Sequence, residues 1–239
     1  MDELSKIYVE PSSRCNLNCL TCIRNSWTET LGDMDWAVYR ALIDGLADFE
    51  RTRTIAFAGY GEPLLHGRCV EMFKLAHEQG FRTEMTSNAT LLTPQVIQGL
   101  SDAGLNQFVV SIDGASNDSH EAVRQGAVLE TIMANGRELY TTSLRLDRPP
   151  IRIGIEFVAM KRNIDQLPAI REIACQVHAS FILVTNLLPH TADLQNEILY
   201  SLGPTAFESQ GTPQDPIWIL PHMDRNDVTR PPLSRVMQD

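Results

Sequence analysis

Cys15, Cys19 and Cys22 stand in the pattern C-x3-C-x2-C within RCNLNCLTCIRNSW. Thiolates are soft ligands that select iron–sulfur clusters, zinc or copper(I). A loop this short can wrap a compact inorganic centre and present three thiolates to it. A closed tetrahedral site needs a fourth ligand. A [4Fe–4S] cube held by three cysteines instead keeps one iron open for a ligand from outside the protein. Asn16, Asn18 and Thr21 make the segment polar, so it is not patterned as core. Zinc is the rival reading, with His66 and Cys69 of HGRC completing the set. Against it, Cys69 falls on the apolar face of the helical pattern CVEMFKLA, and it and Cys175 read as core residues.

The elements that must position this loop are readable from periodicity. KIYVE, RTIAFA, FRTEMTS, NQFVVSID, IRIGIEFVAM and ASFILVTNLL are short apolar runs of strand type. Their near-continuous apolarity suits parallel strands covered by helices. Between them lie helical patterns such as MDWAVYRALIDGLADF, with Trp36, Tyr39, Leu42, Ile43 and Leu46 on one face. Thr93-Pro94 reads as a cap followed by proline at the first helical position. Asn163 with Gln166 reads as a capping box after the fifth strand. The alternation gives six βα units, an α/β fold that falls short of the eight units of a closed barrel. It covers residues 1–190. Residues 191–239 read as an irregular extension, the start of a further domain that the sequence does not complete. From Pro189 on, the chain carries seven of its 13 prolines and little periodicity.

A barrel concentrates its chemistry at the C-terminal ends of its strands. The second strand is followed by GYGEPLLH, where Gly59 and Gly61 let backbone approach a ligand and Glu62 offers a charge for an ammonium group; Pro63 completes the turn. Asn88 follows the third strand, and Ser111 and Asp113 end the fourth. Small polar side chains there suit hydroxyl groups, or cap helices and form turns. His120 reads as a helix-surface or capping residue. Arg124 has a guanidinium fork that matches a carboxylate, or is a solvated helix arginine.

The cysteine loop after the first strand, on a six-unit α/β pattern, resembles the radical S-adenosylmethionine (SAM) superfamily. The resemblance implies a partial (βα)6 TIM-like barrel carrying a [4Fe–4S] cluster on Cys15, Cys19 and Cys22. SAM would chelate the open iron through its amino and carboxylate groups. One electron would then cleave SAM to methionine and a 5′-deoxyadenosyl radical that abstracts hydrogen from a substrate. GYGEP is similar to the family's Gly-Gly-Glu-Pro motif, which binds the SAM amino group, with Tyr60 in place of a second glycine. By the same resemblance Asn88 and Ser111 face the ribose and Arg124 the SAM carboxylate. Thr21 departs from the aromatic or bulky residue usual before the third cysteine, which leaves adenine packing to others, with Leu187 and Leu188 as candidates. CIRNSW, GYGEPLLH, SIDGAS and LLPHT narrow the resemblance to SPASM-type maturases, most of all those for tungsten-dependent aldehyde oxidoreductase cofactors. This implies a peptide, protein or metal–pterin cofactor as substrate and an electron donor such as a ferredoxin or flavodoxin. Such maturases carry further cysteines towards the C-terminus, and this chain has none after Cys175.

Over 239 residues, 43% hydrophobic, the chain has enough apolar material for a sizeable core. A net charge of −10 argues against a nucleic-acid backbone as partner. No long apolar run or leader pattern is visible, so no membrane association and a cytoplasmic location are expected. The clustered, odd-numbered cysteines also fit a reducing compartment. Three readings stand side by side: a radical SAM enzyme, a barrel that binds cluster and SAM without catalysis, and a zinc-stabilised α/β domain. No side chain is assigned a catalytic role, because the radical comes from the cofactor.

Overall fold

The computed structural model describes residues 5–46, 49 and 52–199. Six parallel strands form one sheet: β1 (Lys6–Val9), β3 (Thr54–Phe57), β4 (Arg82–Ser87), β5 (Gln107–Ser111), β7 (Arg152–Ala159) and β8 (Ala179–Asn186). They lie in the order β1-β3-β4-β5-β7-β8, so each neighbour is the next main-sheet strand along the chain. All six strands read from the sequence are present. Two short strands, β2 (Asn18–Cys19) and β6 (Arg124–Gln125), pair antiparallel as a separate ribbon.

The helices are α1 (Trp36–Gly45), α2 (Cys69–Glu78), α3 (Pro94–Asp102), α4 (Asn117–Glu121), α5 (Leu129–Ser143), α6 (Leu167–Gln176) and α7 (Ala192–Gln195). Their starts are chemically marked. Thr93 accepts from Val96 N with Pro94 opening α3, and Ser116 and Ser119 form a reciprocal capping box on α4. Alternate strand residues face the helices and build the core, including Ile55, Phe57, Met85, Phe108, Ile155 and Phe157. Phe57 stacks on Phe73 of α2 with centroids 3.9 Å apart, and the buried Tyr39 hydroxyl donates to Met72 O at 2.8 Å. Each such side chain contributes about 1.5–3 kcal/mol of burial. The opposite face carries Thr86, Ser111, Glu156 and Val158, which look into a cavity at the strand ends.

Four expectations need correction. Asn163 does not cap: its side chain instead accepts from Met160 N and donates to Asp113 O and Val158 O, tying the end of β7 to β5. Gln166 accepts from Ala115 N rather than closing a capping box. Cys175 is exposed, on the outer side of α6, because the apolar face there is taken by Leu167, Ile170, Ile173 and Ala174. The segment after Pro189 is not irregular at its start. Thr191 caps α7, Leu194 is buried with Val123, Met160 and Leu187, and Arg162 pairs with Glu197 at 2.8 Å. The proposed boundary at 190 therefore cuts through packed structure, and residues 200–239 lie outside the described residues. No helix among the described residues is long and apolar enough to cross a membrane.

Candidate functional site

The cysteine loop leaves β1 and is held at both flanks by later parts of the chain. Glu10 Oε1 accepts from Tyr60 N (2.5 Å) and Gly61 N (3.0 Å), and Glu62 N donates to Arg14 O at 2.7 Å. The GYGE segment thus lies against the loop backbone. A Cβ at Gly61 would fall 1.8 Å from Ser12 O, so only glycine permits this approach. Gly59 has φ +153°, and a Cβ there would fall 2.3 Å from Glu10 Oε1. On the other flank, β2 pairs Cys19 with Arg124, and Leu20 N donates to Val123 O at 2.7 Å. Cys22 precedes a 3-10 turn, Ile23–Ser26, and Cys22 N donates to Cys19 O.

The three cysteines line one open cavity of about 230 Å³ at the C-terminal ends of the strands. Gly59, Gly61, Glu62, Asn88, Ser111 and Arg124 line it too, so these predicted residues are brought together with the thiols. Pro63 is not among the lining residues; it is buried and opens the turn Pro63–Leu65. Among the described residues no three His, Cys, Asp or Glu groups converge tightly enough for one metal ion. Three thiols sharing one cavity are the soft donor set that iron–sulfur clusters take. Cys15 Sγ receives Leu17 N at 3.4 Å and Asn88 Nδ2 at 3.7 Å, the donor environment that thiolate ligands use. Burial pushes the Cys15 and Cys19 thiols up, so ligation has to displace protons that burial retains.

The walls are strongly organised. Glu62 is buried and accepts from Leu64 N (3.1 Å), Ser87 Oγ (2.8 Å) and Asn88 N (3.0 Å). Burial raises its carboxyl, and these donors oppose the rise. Asn88 also donates to Asn16 Oδ1 and accepts from Thr90, so its amide is committed to holding the loop. Facing them, Arg124 Nε donates to fully buried Asp113 at 2.7 Å, while Asp113 also accepts from Val158 N. Burial works against the Arg124 charge, yet Asp113, Cys19 and Glu156 hold its guanidinium above the usual range. Among the described residues the Ser111 hydroxyl makes no hydrogen bond, which leaves it free for a ligand.

Two features were not read from the sequence, and a third corrects its reading. Glu156 lines the cavity beside Ser111, its partner across β5 and β7, and burial raises its carboxyl. Its signal was a lone charge inside an apolar strand. Arg24, two positions after Cys22, also lines the cavity. His120 is fully buried rather than on a helix surface: its Nδ1 accepts from Asp113 N, and burial lowers its pKa to about 3, so the ring is neutral.

Other expectations fail. His66 has both ring nitrogens engaged, with Met34 O and Arg68 N, and Cys69 is in the core, so neither completes a zinc site with the loop. Leu187 is buried in its own small cluster and Leu188 is exposed; neither lines the cavity, so neither supplies adenine packing.

Residues 9–145 match the family described as the radical SAM superfamily. The tungsten-containing aldehyde ferredoxin oxidoreductase cofactor-modifying protein of Pyrococcus furiosus is 32% identical over 197 residues, covering 81% of this chain and 54% of that protein. An AdoMet-dependent heme synthase of Methanosarcina barkeri is 29% identical over 184 residues, 75% of this chain and 50% of that one. The chain thus spans about half the length of these relatives. Among solved structures, Streptococcus suis SuiB bound to its precursor peptide SuiA superposes with a TM-score of 0.70 at 15% identity, over 84% of this chain and 44% of SuiB. That likeness shows the fold, the partial barrel expected above. With the family match covering more than half of its length, the chain belongs to the radical SAM superfamily, whose members use a [4Fe–4S] cluster and SAM.

Proposed function

We propose that this chain is the catalytic barrel of a radical SAM maturase. The observation that carries the reading is one cavity lined by three thiols together with the glycines and polar residues of three successive strand ends. Cys15, Cys19 and Cys22 hold the cluster. The backbone at Gly59 and Gly61, with Glu62 behind it, receives the SAM amino group. Arg124, already oriented by Asp113, meets the SAM carboxylate, and Ser111 lies towards the ribose, while Asn88 holds the loop beside it. When bound, the cluster supplies one electron for reductive cleavage of SAM. The protein orients both groups. Pro63 takes no direct part.

One relative is named for modifying a tungsten-containing aldehyde ferredoxin oxidoreductase cofactor, and SuiB, a neighbour in fold, is bound to a precursor peptide. The first name supports a cofactor as substrate; a metal–pterin form of it, a peptide or protein alternative, and electrons from a ferredoxin- or flavodoxin-like donor are what the motif resemblance implies. The 32% identity to the cofactor-modifying protein, over 81% of this chain, favours the cofactor.

Anaerobic reconstitution with iron and sulfide, followed by EPR of the reduced protein with and without SAM, tests the assignment. A reduced-cluster signal that changes on adding SAM, together with 5′-deoxyadenosine formation, is expected. A cluster indifferent to SAM would leave a binding module, and stoichiometric zinc without sulfide would overturn the proposal.

A further inference from the structure

Two guanidinium groups line the thiol cavity, and they differ in how they are satisfied. Arg124 is ion-paired with Asp113. Arg24 is pinned by Nη2, which donates to Leu17 O at 2.8 Å, while its Nε–H is buried without any hydrogen-bond partner. No carboxylate pairs with Arg24 among the described residues. A buried unsatisfied donor costs about 1–3 kcal/mol, and more for a charged group. Such a group persists where a ligand supplies the missing acceptor.

Resting on the cluster assignment above, we infer that Arg24 donates its Nε–H to a sulfur of the [4Fe–4S] cluster and stabilises the reduced state. The chemistry of the donor fits. A cluster on three thiolates is net negative, gains one further negative charge on reduction, and offers only sulfur as acceptor. Hydrogen bonds to cluster sulfurs and nearby charge are what set such potentials. Cys15 already receives two N–H donors, from Leu17 and Asn88. Arg24 brings a third, this one charged, fixed to the same loop that carries the ligands. The step it favours is a one-electron reduction by an external donor, with no proton or bond exchanged.

The test is an EPR-monitored redox titration of the reconstituted protein without SAM, using dithionite as reductant. Arg24→Gln is expected to shift the midpoint to more negative potential by about tenfold in the reduction equilibrium, ~59 mV for one electron. Arg24→Lys keeps the charge but loses Nε–H, so a smaller shift in the same direction is expected. Its exchangeable-proton coupling to the cluster, read by ENDOR in light and heavy water, should be lost. Should Arg24→Gln take up no iron, the lysine variant decides alone. Variants with the wild-type potential and coupling, or with only weaker SAM binding, would overturn the inference. Failure of the wild-type protein to hold a SAM-responsive cluster would instead sink the functional proposal.

Discussion

The two walls of the cavity solve the same problem, burying charge, in opposite ways. At the ends of β3 and β4, the Glu62 carboxylate is met by two backbone N–H groups and the Ser87 hydroxyl. At the ends of β5 and β7, charge meets charge: Asp113 with Arg124, and Glu156 close by, its carboxylate without a hydrogen bond among the described residues. The first wall depends on backbone geometry and can be built from small residues. The second depends on complete pairing, because one missing partner leaves a buried ion.

Asp113→Ala should have the largest effect. It strands Arg124 and frees Val158 N, and should lower stability by about 3–5 kcal/mol in denaturant unfolding. A loss below about 1 kcal/mol would erase the contrast between the walls. Next, Gly61→Ala drives a methyl into Ser12 O, a backbone atom with nowhere to go. A cost of about 1–3 kcal/mol is expected, with poorer iron uptake, because the loop must shift. On the first wall, Ser87→Ala removes one of three donors to Glu62. About 1.5 kcal/mol should follow, measurable as a lowered unfolding midpoint, since the backbone donors remain.

The strands were legible because their signal is local: runs such as TIAF and QFVVS need no partner to be recognised. The GYGE glycines were legible as a place of close approach, but the approach observed is to Ser12 O and Glu10 of the chain itself, where a ligand was expected. What stayed hidden depends on contacts distant in sequence. Asn163 looks like a cap when read alone, yet it bridges to a carbonyl 50 positions away. His120 and Arg24 acquire their meaning only from what is buried around them. For Leu187 adenine packing and a core role were both open, because sequence does not tell a site-facing leucine from one packed in a small satellite core.

The smallest expected effect belongs to Glu156, and its sign sharpens the comparison. Burial raises this carboxyl, so its contribution to stability is present below the ordinary glutamate pKa and is lost as pH rises through the folded value. Glu156→Gln should therefore raise the melting temperature slightly near neutral pH and leave it unchanged under acid conditions. Equal shifts at both pH values would show that Arg124 already satisfies the carboxylate.

The ribbon of β2 and β6 also bears on the order in which the molecule comes together. Asn18 meets Gln125 across 107 positions, and Cys15 meets Asn88 across 73. The thiols leave the ribosome long before the residues that hold them. Closing loops of this length must be compensated by contacts that form only when half the barrel stands. Iron uptake is therefore expected to follow assembly of these partners rather than precede it. A lesion in β5 or α4 would first be seen as protein that lacks iron.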